Sequence, residues 1–322
     1  MKKLSSILIA GGVCLWSLSL AVSAQNDWGP LRLYAQAPMQ TSNLTPVLRS
    51  GFAREPGDTQ MNMSATAASV WADNDDFLAD YYHNTLSIEL NRQLTADWQF
   101  EFNYRWRFSG DNHLDNLTIW FHDAFGFSQN GRDLAVKHQN RILVKSLDKG
   151  LLDFSGETLT NALTAYLQHQ LLQSAAHGLS LGASLYYNTV ADGPFAESNF
   201  EQAIQLNYSF THGAHHLYST AGMSFHDGGE SVYGHYYRDH AFTLALAYEY
   251  RIGRHSLMAE YHRFQGALKR AGAMSDDVNE AIIGYRYAFD RSAIEFAMIE
   301  NLLNMDNSTD IALTLGFRYA FR

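Results

Sequence analysis

From Trp98 to Phe108 one set of alternate residues is aromatic (Trp98, Phe100, Phe102, Tyr104, Trp106, Phe108). The other set is polar (Gln99, Glu101, Asn103, Arg105, Arg107). Successive side chains of a β-strand point to opposite faces, so this segment reads as a strand with one apolar and one strongly polar wall. One such strand would also suit a soluble sandwich, but the pattern recurs to the end of the chain. Leu86/Ile88/Leu90 opposes Ser87/Glu89/Asn91, and Leu181/Ala183/Leu185/Tyr187 opposes Ser180/Gly182/Ser184/Tyr186. Further on, Ile204/Leu206/Tyr208/Phe210, Phe242/Leu244/Leu246/Tyr248/Tyr250, Ala281/Ile283/Tyr285/Tyr287/Phe289 and Ile311/Leu313/Leu315/Phe317/Tyr319/Phe321 each oppose a polar or small-residue set.

Strands of about ten residues match a tilted crossing of the hydrocarbon layer. Only a closed barrel lets strands satisfy every backbone hydrogen bond inside lipid. The expected fold is therefore all-β, a transmembrane antiparallel β-barrel over residues 61–322. Short turns at Thr95–Asp97, Ser174–Gly178, Thr211–His216, Ile252–His255 and Asp290–Ser292 alternate with longer loops. Those loops fall around 73–83, 109–135, 190–199, 227–239, 266–278 and 302–310. Short turns of such barrels face the periplasm and long loops face outward, so the strand number is even. Twelve strands result if 136–156 is an extracellular excursion, and fourteen if it is a further membrane hairpin. Its outward set, His138/Asn140/Ile142/Val144, is too polar for lipid along much of its length, which favours twelve.

The N-terminus carries an address. Lys2 and Lys3 precede an apolar run from Leu4 to Val22, and Val22-Ser23-Ala24 has the small-x-small pattern of a cleavage site. Residues 1–24 read as a signal peptide, and its Cys14 has a poor lipobox before it. That is the chain's one cysteine, so neither disulfides nor thiol chemistry are expected after cleavage. The formal net charge of −10, from which the leader removes two lysines, argues against nucleic acid as a partner. Charged residues make up 17% of the chain, below the soluble norm of about 25%, while aromatics reach 13%. No stretch beyond the leader approaches the length of a membrane helix. Residues 25–60 lack periodicity and are rich in proline, and read as a periplasmic lead segment or partial plug. The expected setting is the outer membrane of a Gram-negative bacterium. Expected partners are outer-membrane lipid and lipopolysaccharide, the barrel-assembly machinery during biogenesis, and a small polar solute.

Between Leu114 and Asp133 the strand pattern breaks. Leu114, Leu117, Phe121, Ala124 and Phe125 share one side of a helix that Asp111 or Asn112 could cap and Gly126 could end. This extracellular-loop helix and the turn Gly131-Arg132-Asp133 put Trp120, His122, Asp123, Arg132 and Asp133 within a short stretch. Trp120-Phe121-His122-Asp123-Ala124-Phe125-Gly126, followed by Gly131-Arg132-Asp133, resembles the most distinctive block of a proteobacterial outer-membrane family, the domain of unknown function 3187 group. Gly29-Pro30-Leu31 and Gln36-x-Pro38 resemble that family's opening, although Ala35 and Ala37 replace expected asparagines. Asn140-Arg141 resembles the segment after its Gly-Arg-Asp turn. The resemblance implies a secreted outer-membrane barrel and carries no established activity.

Three functions fit these residues. The first is a passive channel or structural envelope protein with the loop helix at its mouth. Its lumen would be lined by Glu89, Glu101, Arg105, Arg107, Glu249, Glu260, Arg286 and Arg318, with Arg251 and Glu295 on the same wall. The second is a hydrolase of outer-leaflet lipid or lipopolysaccharide centred on His122 as general base or acid, with Asp123 or Asp133 orienting it. Arg132 would sit beside it, and Thr118 is a weak nucleophile candidate. The third is a surface-interaction role for the long loops. The first, non-enzymatic reading is preferred. No cofactor motif is present, and the scattered histidines give no usual metal-ligand spacing.

Overall fold

The computed structural model describes residues 27–322 apart from 127, 128, 130, 302, 304–306, 308 and 322. The signal peptide expected at 1–24, with Cys14, lies outside the described residues. The chain forms strands β1 (Thr59–Asp73), β2 (Phe77–Gln93), β3 (Trp98–Ser109), β4 (Arg141–Val144), β5 (Lys149–Leu152), β6 (Thr158–Gln173) and β7 (His177–Val190). They are followed by β8 (Glu197–His212), β9 (His215–Phe225), β10 (His240–Ile252), β11 (His255–Phe264), β12 (Val278–Ala288), β13 (Ser292–Asn301) and β14 (Ile311–Phe321). One α-helix, α1 (Asp115–Phe125), lies between β3 and β4.

Twelve of these strands close a barrel. Neighbours pair antiparallel in chain order around the wall, β3 pairs directly with β6, and β1 pairs with both β2 and β14. The remaining two, β4 and β5, form a short hairpin that adds to the top of β2 over Phe77–Asp80. The piece from 136 to 156 is thus an excursion at the long-loop end, as its polarity implied. The lipid phase read from the sequence also holds: Phe102, Ile204, Leu246 and Leu315 are exposed, while Glu101, Gln205, Glu249 and Thr314 are buried.

The turn region expected at 73–83 is much tighter. Strands β1 and β2 run on to Asp73 and from Phe77, because Asn74 Oδ1 accepts the backbone N–H groups of Asp76 (2.9 Å) and Phe77 (3.0 Å). This Asx turn closes the strand pair in a few residues.

The barrel interior is filled by residues 27–57. Trp28 packs near the short-turn end against Ala288, Ala293 and Ala320. Leu31 and Leu33 meet Ile282, Ala297 and Ala312 farther up, and Ala35 and Ala37 meet Phe264 and Val278. A 3₁₀ turn at Pro38–Gln40 reverses the chain. Leu44 then packs on Tyr186 and Ala203, Leu48 on Tyr218 and Ala245, and Gly51 reaches Gly178 back at the short-turn end, on another part of the wall. The segment climbs one side of the lumen and descends the other. Above its reversal, Met39 sits under an apolar cap containing Phe77, Tyr81, Phe154, Phe195, Leu268 and Met274.

Candidate functional site

The inward charges hold the lumenal segment. A backbone without a sheet ladder has donors and acceptors that cost free energy when buried unpaired, so its surroundings must offer both kinds of partner. The wall supplies acceptors through carboxylates: Glu260 takes the N–H of Leu31 (3.0 Å), Glu280 that of Gln36 (2.8 Å) and Glu201 that of Leu44 (2.5 Å). It supplies donors through guanidinium groups. Arg286 donates to the carbonyl of Gly29 (2.7 Å), Arg107 to Ala35 (3.0 Å), and Arg318 to Pro30 (2.6 Å) and Trp28. The mixture of signs on the polar wall follows from this double requirement.

Ion pairs then join wall and segment. Arg32 lies 3.4 Å from Glu89 and 3.0 Å from Glu101, and Arg49 makes a two-pronged contact with Glu101 at 2.5 and 3.2 Å. Arg49 also lies over the Tyr166 ring at 3.7 Å, and Arg105 over that of Tyr34 at 4.9 Å. Glu249 joins Arg251 and Arg286, and Glu295 joins Arg286 and Arg318. All eight residues proposed from the sequence as lumen-lining, Glu89, Glu101, Arg105, Arg107, Glu249, Glu260, Arg286 and Arg318, are buried there. Sequence reasoning missed Arg32, Arg49 and Glu201, and it placed Glu280 on the polar face of its strand without naming it among the lumen-lining residues. The first two lie in the segment without periodicity, although their charges were a usable signal that it had partners in a low-dielectric space. Cavities left between segment and wall, beside Arg32 and Arg49, are about 10 Å³ each, room for about one water.

A second polar cluster lies on the outer wall. Helix α1 does not lie over the mouth. It packs Leu114 and Phe121 on Ile311, with Ala67, Met298 and Leu313 beside them. These strand residues share the outward phase of Met63, Phe296 and Leu315, so α1 lies against the outside of the barrel at its long-loop end. Its N-terminus has no side-chain cap; Asp111 instead accepts the N–H of His113 (2.8 Å). Gly126 ends it in the left-handed region at φ 73°.

Beneath α1, His122 Nε2 lies 3.3 Å from Glu300 Oε1 and 3.4 Å from Asp310 Oδ1. Arg132 Nη1 lies 3.2 Å from Asp310, while Arg132 Nη2 donates to Asp115 and to Ser69 (2.6 Å). Tyr82 donates to Asp115 as well. Burial pulls the Asp115 carboxyl up, but the Tyr82 hydroxyl and Arg132 guanidinium outweigh it and hold it below the usual range. Burial dominates at Asp310 and pushes it up, against Arg132 and His122. Of the residues picked out from the sequence, His122 and Arg132 are buried together at Asp310. Asp123 and Asp133 are exposed, and Asp123 accepts from Gln129 (2.7 Å). The hydroxyl of Thr118 is buried and donates to the Leu114 carbonyl (3.0 Å), an arrangement that suits helix packing and not attack on a substrate. Glu300 and Asp310 escaped the sequence reading. Glu300 stands in phase with Ile294 and Phe296, a charge on a lipid-facing row, and that was the available signal.

The family profile described as "Protein of unknown function (DUF3187)" matches residues 6–321. The chain belongs to this family. Among curated proteins, none matches it. Among solved structures, an outer-membrane channel from Pseudomonas putida F1 is similar at TM-score 0.53 and 13% identity, over 84% of this chain and 97% of that one. That likeness is one of fold, and establishes the outer-membrane barrel. The KdgM and NanC porins match at TM-scores 0.43 and 0.47 and at 9% and 6% identity. They span 82% and 80% of this chain and 99% and 98% of their own.

Proposed function

We propose that the protein is an outer-membrane channel for small polar solutes, held shut by residues 27–57. The observation that carries this reading is the way the segment is bound. Among the described residues no β-ladder joins residues 27–57 to the wall. Apart from a backbone bond from Gly57 to Gln93, the segment's polar contacts with the wall run through wall or segment side chains, and water can replace each of these polar contacts when the segment leaves. A filling that belonged to a permanent core would be continuously apolar; here the large apolar cluster is the cap around Met39, and below it small apolar contacts alternate with buried charges. Withdrawal would leave a twelve-strand lumen lined by Glu89, Glu101, Arg105, Arg107, Glu249, Glu260, Arg286 and Arg318. The similarity to an outer-membrane channel supports the same reading.

Export would remove residues 1–24, the barrel-assembly machinery would insert the barrel, and lipid and lipopolysaccharide would surround its outer face. Swelling of proteoliposomes in an iso-osmolar pentose solution tests the channel. A chain lacking residues 27–56 is expected to admit the sugar, and the full chain to admit it at least tenfold more slowly. A correctly folded, truncated barrel that admits no solute would overturn the proposal.

A further inference from the structure

The channel reading leaves the cluster beneath α1 without a task. We propose that His122, Glu300 and Asp310 form a zinc site that fastens α1 to the outer wall of the barrel. His122 Nε2, Glu300 Oε1 and Asp310 Oδ1 lie within 4.8 Å of one another. The separations from His122, 3.3 and 3.4 Å, are long for charge-assisted hydrogen bonds, which prefer about 2.7–2.9 Å. They suit a shared metal ion. Zinc held tetrahedrally at about 2.0–2.1 Å keeps its donor atoms about 3.3–3.4 Å apart.

Charge points the same way. Three carboxylates, Asp115, Glu300 and Asp310, face one guanidinium, Arg132, and one imidazole. Glu300 is about nine-tenths buried, and its second oxygen is enclosed with no hydrogen-bond donor among the described residues. A buried carboxylate in that state is costly, and a divalent cation would neutralise the excess. One imidazole nitrogen with two carboxylates favours zinc over calcium or magnesium, which take oxygen ligands. Arg132, hydrogen-bonded to Asp115 and ion-paired with Asp310, would orient one ligand from behind. The ion would join α1, β13 and the chain entering β14 at the lipid-facing rim.

The test uses the full chain, folded and purified in detergent, incubated with Zn²⁺, dialysed against metal-free buffer and assayed by atomic emission. One zinc per chain is expected. E300Q and D310N are expected to weaken binding by at least about tenfold in competition with a chromophoric chelator. H138N disrupts the exposed Asp111/His113/His138 group and should leave the stoichiometry unchanged. Zinc should also slow tryptic cleavage at exposed Lys137 in the wild type but not in E300Q. Heat-modified gel mobility establishes that each barrel is folded. A folded wild-type chain that retains no zinc overturns the proposal. So does undiminished binding by folded E300Q and D310N, or retention of calcium in preference to zinc.

Discussion

Replacing Arg49 with Met should make a silent channel open. Arg49 is the segment's most heavily bonded side chain: it reaches Glu101 at 2.5 and 3.2 Å and Gln205 at 2.9 Å, and lies over the Tyr166 ring. In Arg49→Met the segment would still enter the lumen, but Glu101 would lose one of its two guanidinium partners while remaining buried. Removing one member of a buried ion pair costs about 3–5 kcal/mol. Because Arg32 still lies 3.0 Å from Glu101, the lower end applies, about 3 kcal/mol. With the segment withdrawn, Glu101 meets water and the penalty disappears. The equilibrium between shut and open therefore shifts by about 10²-fold toward open. Single-channel recording reads this as opening frequency. Arg49→Lys should fall between wild type and Arg49→Met, since an ammonium keeps the charge but cannot make the two-pronged contact. Adding Glu101→Gln to Arg49→Met should return part of the closure by removing the stranded charge. If Arg49→Met opens no more often than wild type while a chain without the segment conducts, the ion pairs do not hold it.

Other perturbations probe separate parts of the account. A Cβ on Gly51 would lie 2.5 Å from the carbonyl oxygen of Gly178 and 2.8 Å from that of Asn207. Gly51→Ala should therefore push the segment off the wall at a cost of about 1–3 kcal/mol and raise opening frequency; unchanged gating would place Gly51 elsewhere. In an opened variant, neutralising Arg105 and Arg107 should shift reversal potentials toward cation selectivity, and no shift would remove them from the conduction path. Phe102→Arg places a charge in mid-strand on the lipid face and should lower unfolding stability by about 2–4 kcal/mol if it lies near the midplane. Phe100→Leu should be tolerated; equal stabilities for the Phe102→Arg and Phe100→Leu barrels in urea would reverse the assigned strand phase.

The strands were legible because lipid and lumen impose opposite demands on adjacent residues. Trp98–Phe108 declares its register in every position, and the polar outward set of 136–156 kept that piece out of the wall. The path of residues 27–57 was not legible. Its bonds join residues as far apart as Gln36 and Thr309, or Pro30 and Arg318, and no local period records them. The residue types of α1 announced a helix, but its place on the outer wall depends on Ser69, Tyr82, Glu300 and Asp310, drawn from distant strands and a loop. His122 and Arg132 stood out as reactive types in an unusual block. Their partners came from a charge on a lipid-facing row and from a loop residue, which only the folded barrel brings together.

The central claim is that residues 27–57 shut a lumen that otherwise conducts. Glu55–Asp58, exposed at the short-turn rim, offer a place to cut the segment free. A specific protease site placed there, opened by adding the protease to the periplasmic-side chamber during planar-bilayer recording, compares shut and released states in the same molecules. The account predicts a quiet membrane before cleavage and discrete, salt-dependent conductance steps after it. A membrane that stays silent after complete cleavage and departure of the segment, with the barrel still folded, would contradict it.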